Sequence, residues 1–84
     1  MKPKENTIEK IDRLFEKIYA TNLDEESIRI LKDLQDHLHS MNLHKAKVAY
    51  FSLIKSKLNY IFEMLNSSKV DESKKEIKEL KKFL

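Results

Sequence analysis

The side chains that invite a metal are His37, His39 and His44. A two-histidine site on a helix uses residues four apart, because that spacing brings both rings over one face. His37 and His39 are two apart, so on a helix they diverge, and His44 lies beyond a polar break in "SMNLHKA". With no cysteine to complete a ligand set, they read as surface histidines, and neither a metal nor a cofactor is expected. Two carboxylate pairs, Asp33 with Asp36 and Asp12 with Glu16, share helix faces. General acid–base work needs shelter that drives the two pKa values apart, whereas these pairs sit among lysines and arginines and read as solvated, salt-laced surface. Ser52, Ser67 and Ser68 have no base and orienting acid in their surroundings, so no nucleophile is expected. The absence of glycine removes the loops that let backbone approach a phosphate. The expectation is a chain that is not an enzyme.

Binding chemistry has more to work with. The sequence pI is about 9.1, and Lys45, Lys47, Lys55 and Lys57 lie close to Tyr50 and Tyr60. A nucleic-acid surface gathers its cations on one face beside exposed aromatics. Lys45 and Lys47 do not share a face, the tyrosines fall in or beside the apolar row, and arginine occurs only as Arg13 and Arg29. Direct nucleic-acid binding is therefore disfavoured. The tail "ESKKEIKELKKFL" has the amphipathic form of a membrane-surface helix, but Glu72, Glu76 and Glu79 interrupt its basic face. No apolar run approaches the roughly 20 residues of a spanning helix, and "MKPKENTIEK" lacks the apolar core of a signal peptide. No membrane insertion is expected, and the absence of cysteine suits a reducing, cytoplasmic setting.

Four periodic segments must position these residues. In "NTIEKIDRLFEKIYA", Ile8, Ile11, Leu14, Phe15 and Ile18 form one stripe, which predicts a helix over about 7–20, with Asn6 and Glu9 at capping-box spacing. "LDEESIRILKDLQDHLHSM" starts with Asp24 as N-cap, Glu25 and Glu26 in the first turn, and Leu23 and Ile28 at staple spacing. Its core stripe reads Ile28, Leu31, Leu34, Leu38 and Met41. The third segment puts Ala46, Ala49, Tyr50, Leu53, Ile54, Leu58, Ile61, Phe62 and Leu65 on one face, as one helix over 43–65 or two with a bend near Ser56. Residues 66–71 read as a linker, with Ser68 or Asp71 as a cap for a last amphipathic helix whose buried face is Ile77, Leu80, Phe83 and Leu84.

Helices this short do not persist alone in water and must pack together. The chain is thus expected to form an all-α domain over 1–84, an antiparallel four- or five-helix bundle with short loops and a flexible N-terminus at 1–6. Residues 22–42 carry Asp24, Glu25, Glu26, Asp33 and Asp36 against Arg29 and Lys32, while residues 43–66 carry Lys45, Lys47, Lys55 and Lys57 against Glu63. These opposed balances suggest that the second and third segments pair across a hairpin.

The order of a capped helix (Asp24 through Leu38), a polar turn, a small residue (Ala46) and apolar positions at Val48, Leu53 and Ile54 resembles a known family. It is similar to the C-terminal helical domain shared by the COPII outer-coat subunit Sec-thirty-one and the steroid receptor RNA activator protein, over about residues 8–66. The chain departs from that pattern where Tyr60 stands for a tryptophan, Glu63 for a glycine and Leu65 for a lysine. The resemblance implies an interaction domain of a coat or scaffold protein in vesicle transport, at the cytosolic face of the endoplasmic reticulum, or one in RNA-linked co-regulation. Helices of similar composition also occur in bacteriocin immunity proteins, which makes an autonomous immunity- or antitoxin-like regulator the alternative.

The functional expectation is a non-catalytic protein–protein interaction module that offers a groove between the second and third helices to a partner helix or peptide. The residues flanking the apolar stripe, His44, Lys47, Tyr50, Lys57 and Tyr60, are the candidate contacts.

Overall fold

A computed structural model of the chain describes residues 7–41 and 48–83. They form four α-helices, α1 (Thr7–Tyr19), α2 (Glu25–Met41), α3 (Val48–Asn66) and α4 (Val70–Glu79), followed by a terminal 3-10 turn at Leu80–Phe83. The all-α bundle expected from periodicity is the fold observed. The expected cap at Asn6, the N-terminal segment 1–6, Ala46 and Leu84 lie outside the described residues.

In α1 the five predicted positions, Ile8, Ile11, Leu14, Phe15 and Ile18, are the buried ones. The helix closes at Thr21, whose backbone N–H and hydroxyl both donate to the Ile18 carbonyl. Asp24 caps α2 as expected: its Oδ1 accepts from the Ser27 backbone N–H at 3.3 Å. Hydrogen bonding from the Ser27 side chain is the main cause holding the Asp24 carboxyl below its usual range, with Lys74 of α4 assisting. The α2 stripe needs one correction. Leu31, Leu34 and Leu38 are buried, but so are Ser27 and Ile30, while Ile28 and Met41 are half-buried. Ser27 enters the core because its hydroxyl is satisfied by its own cap, which removes the cost of burying it.

Helix α3 runs without interruption from Val48 to Asn66, so there is no break at Ser56. Its buried row is Phe51, Ile54, Leu58, Ile61 and Met64, with Tyr50, Phe62 and Leu65 packed at its edges. Ala49 and Leu53, expected in the core, are exposed. Spacings of three and four starting from Phe51 make a self-consistent stripe, and a helix of one side-chain period cannot bury both that row and the Ala49–Leu53 row.

The α3–α4 connection is Ser67–Lys69, shorter than the expected 66–71 linker, and neither expected cap is used. The Lys69 N–H donates to the Met64 carbonyl and the Ser68 N–H to the Leu65 carbonyl, at 2.9 and 3.2 Å. This is the Schellman pattern, which requires left-handed backbone at the residue after the C-cap. In a chain without glycine Ser68 takes that place, at φ 63°. Asp71 falls inside the first turn of α4, where its charge favours the helix dipole, and Lys69 is the N-cap without a side-chain cap bond. Within α4, Ser73 and Ile77 are buried, and Leu80 of the terminal turn joins them.

Pairs of contacting side chains set the topology. Tyr19 meets Gln35 and Asp12 meets Gln35 and His39, so α1 and α2 are antiparallel. Lys17 lies over Phe62, which brings the C-terminal ends of α1 and α3 together, and Tyr50 and Lys57 reach Phe83, which makes α3 antiparallel to the C-terminal segment. Helix α1 packs on α3 and α2, and α4 packs on α3 and α2. The helices therefore occupy four corners in the order α1, α3, α4, α2, and α2 and α3 face each other only across a diagonal. The expected hairpin pairing of α2 with α3 is not the packing found. Lys74 of α4 acts on Asp24, the residue that caps α2.

Candidate functional site: the outer face of α3

Three of the five expected contact residues can be placed. His44 and Lys47 lie outside the described residues. Tyr50 and Lys57, seven apart on α3, converge on the chain's own Phe83. The Tyr50 hydroxyl donates to the Phe83 carbonyl at 2.7 Å, the two rings sit 6.0 Å apart and tilted, and the Lys57 ammonium lies 5.3 Å from the Phe83 centroid. Burial raises the Tyr50 phenol above its ordinary range. These two residues clamp the terminal turn to α3, and the Phe83 carbonyl, which a 3-10 turn leaves without an intrahelical donor, is satisfied in this way.

Tyr60 is placed differently: it is 54% exposed, beside Leu53 at 46%. Seven residues separate them, so they stand on one line along α3, with exposed Ala49 and Ser56 completing it. The line runs outward from the Tyr50–Lys57 row, on the side of α3 that looks over α4. It alternates small and large residues at intervals of four, three and four, the spacing by which one helix meets another. Val48, 61% exposed, lies away from this line at the start of α3. The groove expected between the second and third helices has no counterpart among the described residues, because α2 and α3 do not pack side by side. The exposed line lies along the α3–α4 seam instead.

Carboxylates border the seam. Glu72, Glu76 and Glu79 fall at intervals of four and three along one side of α4, and Lys57 of α3 acts on Glu79 after Lys82 and Lys75. The Glu79 carboxyl is held below its usual range chiefly by Lys82, which pairs with it at 2.8 Å. A shallow depression of about 270 Å³ at the α3–α4 turn, lined by Ser68, Lys69, Val70, Asp71 and Glu72, closes this end of the seam.

The histidines and paired acids are also placed. His39 Nε2 lies 2.9 Å from Asp12 Oδ1, which also accepts from Gln35 Nε2 at 2.9 Å, and Gln35 Oε1 accepts from the Tyr19 hydroxyl at 2.8 Å. This chain stitches α1 to α2. Burial first, then the charges of Asp36 and Asp12, raise the Tyr19 phenol far above its ordinary range. Among the described residues no three His, Cys, Asp or Glu side chains are grouped to hold a metal ion, and no helix is long and apolar enough to cross a membrane.

Sequence reasoning missed Leu53 as a surface residue because hydropathy assigned it to the core. The signal available was the competing row Phe51, Ile54, Leu58, Ile61, which leaves Leu53 and Tyr60 off its face. No family model, curated protein or solved structure matches the chain.

Proposed function

We propose that the protein is a non-catalytic interaction domain that receives a helix or extended peptide of a partner on the outer face of α3. The observation that carries this reading is the line Ala49, Leu53, Ser56, Tyr60, two large and two small exposed residues in register on one helix. Apolar residues exposed singly are ordinary, whereas an aligned pair with one small residue between them and another before them gives a partner helix a surface to approach. Of the five expected contacts Tyr60 belongs to this face, Tyr50 and Lys57 support its edge through Phe83, and Leu53 is added. Nucleic acid is a poorer ligand for it, since Lys57 is engaged over Phe83 and the neighbouring α4 row is acidic. The vesicle-coat setting rests on the order of the helices, and the immunity- or antitoxin-like alternative on their composition.

Immobilised wild-type protein and a Leu53→Glu/Tyr60→Glu variant, challenged with the same native lysate, test the reading. Proteins retained by the wild type and lost from the equally folded variant are the expected result. Retention indifferent to both substitutions contradicts it.

A further inference from the structure

We propose that the occupant of the α3–α4 seam is a basic amphipathic helix, one whose apolar stripe is bordered by lysine or arginine toward the end that lies on Tyr60. The proposal rests on the reading of the outer face of α3 as a binding face, and names the chemistry of the partner.

The seam is electrically uneven along its length. At the Leu53 end its cations and anions are already engaged with one another: Lys57 stands over Phe83 and acts on Glu79, and Lys82 pairs with Glu79. At the Tyr60 end they are not. Helix α3 is antiparallel to α4, and Lys57 of α3 stands over Phe83, one turn beyond Glu79 of α4. Tyr60 stands as far before Asn66 as Glu76 stands after Val70, the two ends joined by the turn, and is therefore level with Glu76. Glu63 follows Tyr60 by three residues and lies on the adjoining surface of α3, and Glu72 extends the α4 row toward the turn. Among the described residues Glu63, Glu72 and Glu76 have no ion-pair partner.

Tyr60, half-exposed, ends an apolar line that has Glu63 on its own helix and Glu76 and Glu72 on the α4 row, with Lys69 the one cation lining the depression at the turn beside Glu72. A partner helix that covers Leu53 and Tyr60 removes water from those carboxylates, and an apolar or acidic flank there would leave them desolvated without compensation. A lysine or arginine flank supplies the missing charge, and its stem can lie on the Tyr60 ring. The same asymmetry sets the direction of the partner: its cationic end lies at the α3–α4 turn and its neutral end beside Phe83. A second copy of this chain seated α3 to α3 in parallel would set the two Tyr60 ends, with their carboxylates, against each other, which like-charge repulsion opposes.

The test uses two synthetic amphipathic peptides of leucine and alanine with identical heptads, one carrying lysine and the other glutamate at the flanking positions of one end. Each is titrated into the full-length protein by fluorescence anisotropy at low salt and at 0.5 M salt. The lysine peptide is expected to bind at least ten times more tightly than the glutamate peptide, with the difference shrinking at high salt. Glu72→Lys/Glu76→Lys should reverse the preference, whereas Glu25→Lys/Glu26→Lys, an equal charge change on α2, should preserve it. Leu53→Ser/Tyr60→Ser should abolish binding, with the melting temperature of every variant measured alongside. Equal affinity for the two peptides, still dependent on Leu53 and Tyr60, overturns the basic partner and leaves the binding face standing. Binding indifferent to Leu53 and Tyr60 overturns both. Micromolar self-association lost in Leu53→Ser/Tyr60→Ser assigns the face to a second copy and overturns the proposal.

Discussion

Single residues here do work that their types do not advertise. Ser68 holds a left-handed conformation that glycine would hold without steric cost, so Ser68→Gly should raise stability by about 0.5 kcal/mol and Ser68→Val should lower it by about 1 kcal/mol, read from urea midpoints at constant slope. Nothing in "NSSKV" distinguishes Ser68 from Ser67, and the position became visible only once the register of α3 against the turn was known. Tyr19 supplies a second case. Its phenol pKa is raised in the folded state, so its contribution is fully present below the ordinary phenol pKa, about 10, and is lost as pH rises beyond it. Stability should therefore decline above that pH. Tyr19→Phe should flatten the alkaline limb while costing about 1 kcal/mol at neutral pH through the lost bond to Gln35. Asp24 acts in the opposite sense. Its carboxyl is held low by Ser27, so its contribution is present above the ordinary carboxylate range and is lost as pH falls through its lowered pKa, and Asp24→Ala should weaken the acid dependence of melting.

At the scale of the element, α1 was wholly legible, because five apolar positions at intervals of three and four admit one face only. Helix α3 was not, because it carries more apolar residues than one face can bury and composition alone does not choose among its rows. Sequence reading kept Ala49 and Leu53 with the core, and burial of the bulkier Phe51 decided otherwise. Small polar residues hid the converse case: Ser27 and Ser73 are buried, each with its hydroxyl satisfied within its own first turn, the latter on the Val70 carbonyl at 2.6 Å. The terminal turn offers an element-scale prediction. Tyr50→Phe removes the donor to the Phe83 carbonyl but keeps the ring contact, so the amides of Leu80–Phe83 should exchange faster with little change at Leu58 or Ile61, as hydrogen exchange would show.

For the whole molecule, the class of fold followed from helical periodicity and the need of short helices to pack, whereas the order of the corners did not. Consecutive helices with opposed charge invite pairing, yet α2 and α3 stand on a diagonal, and Asp24 of α2 feels Lys74 of α4. Two of the three described candidate residues met the same fate: Tyr60 faces outward, while Tyr50 and Lys57 turn to the chain's own Phe83, a partner that lies far from them in sequence. The proposed role of Leu53 and Tyr60 is in binding and not in folding. It is tested most directly by melting Leu53→Ser/Tyr60→Ser beside the wild type and titrating both with the lysine-flanked peptide. A fall in Tm of no more than about 5 °C, the size that surface substitutions in a domain of this length produce, together with loss of binding, is the expected result. A fall of about 15 °C or more, or binding that survives both substitutions, would contradict it.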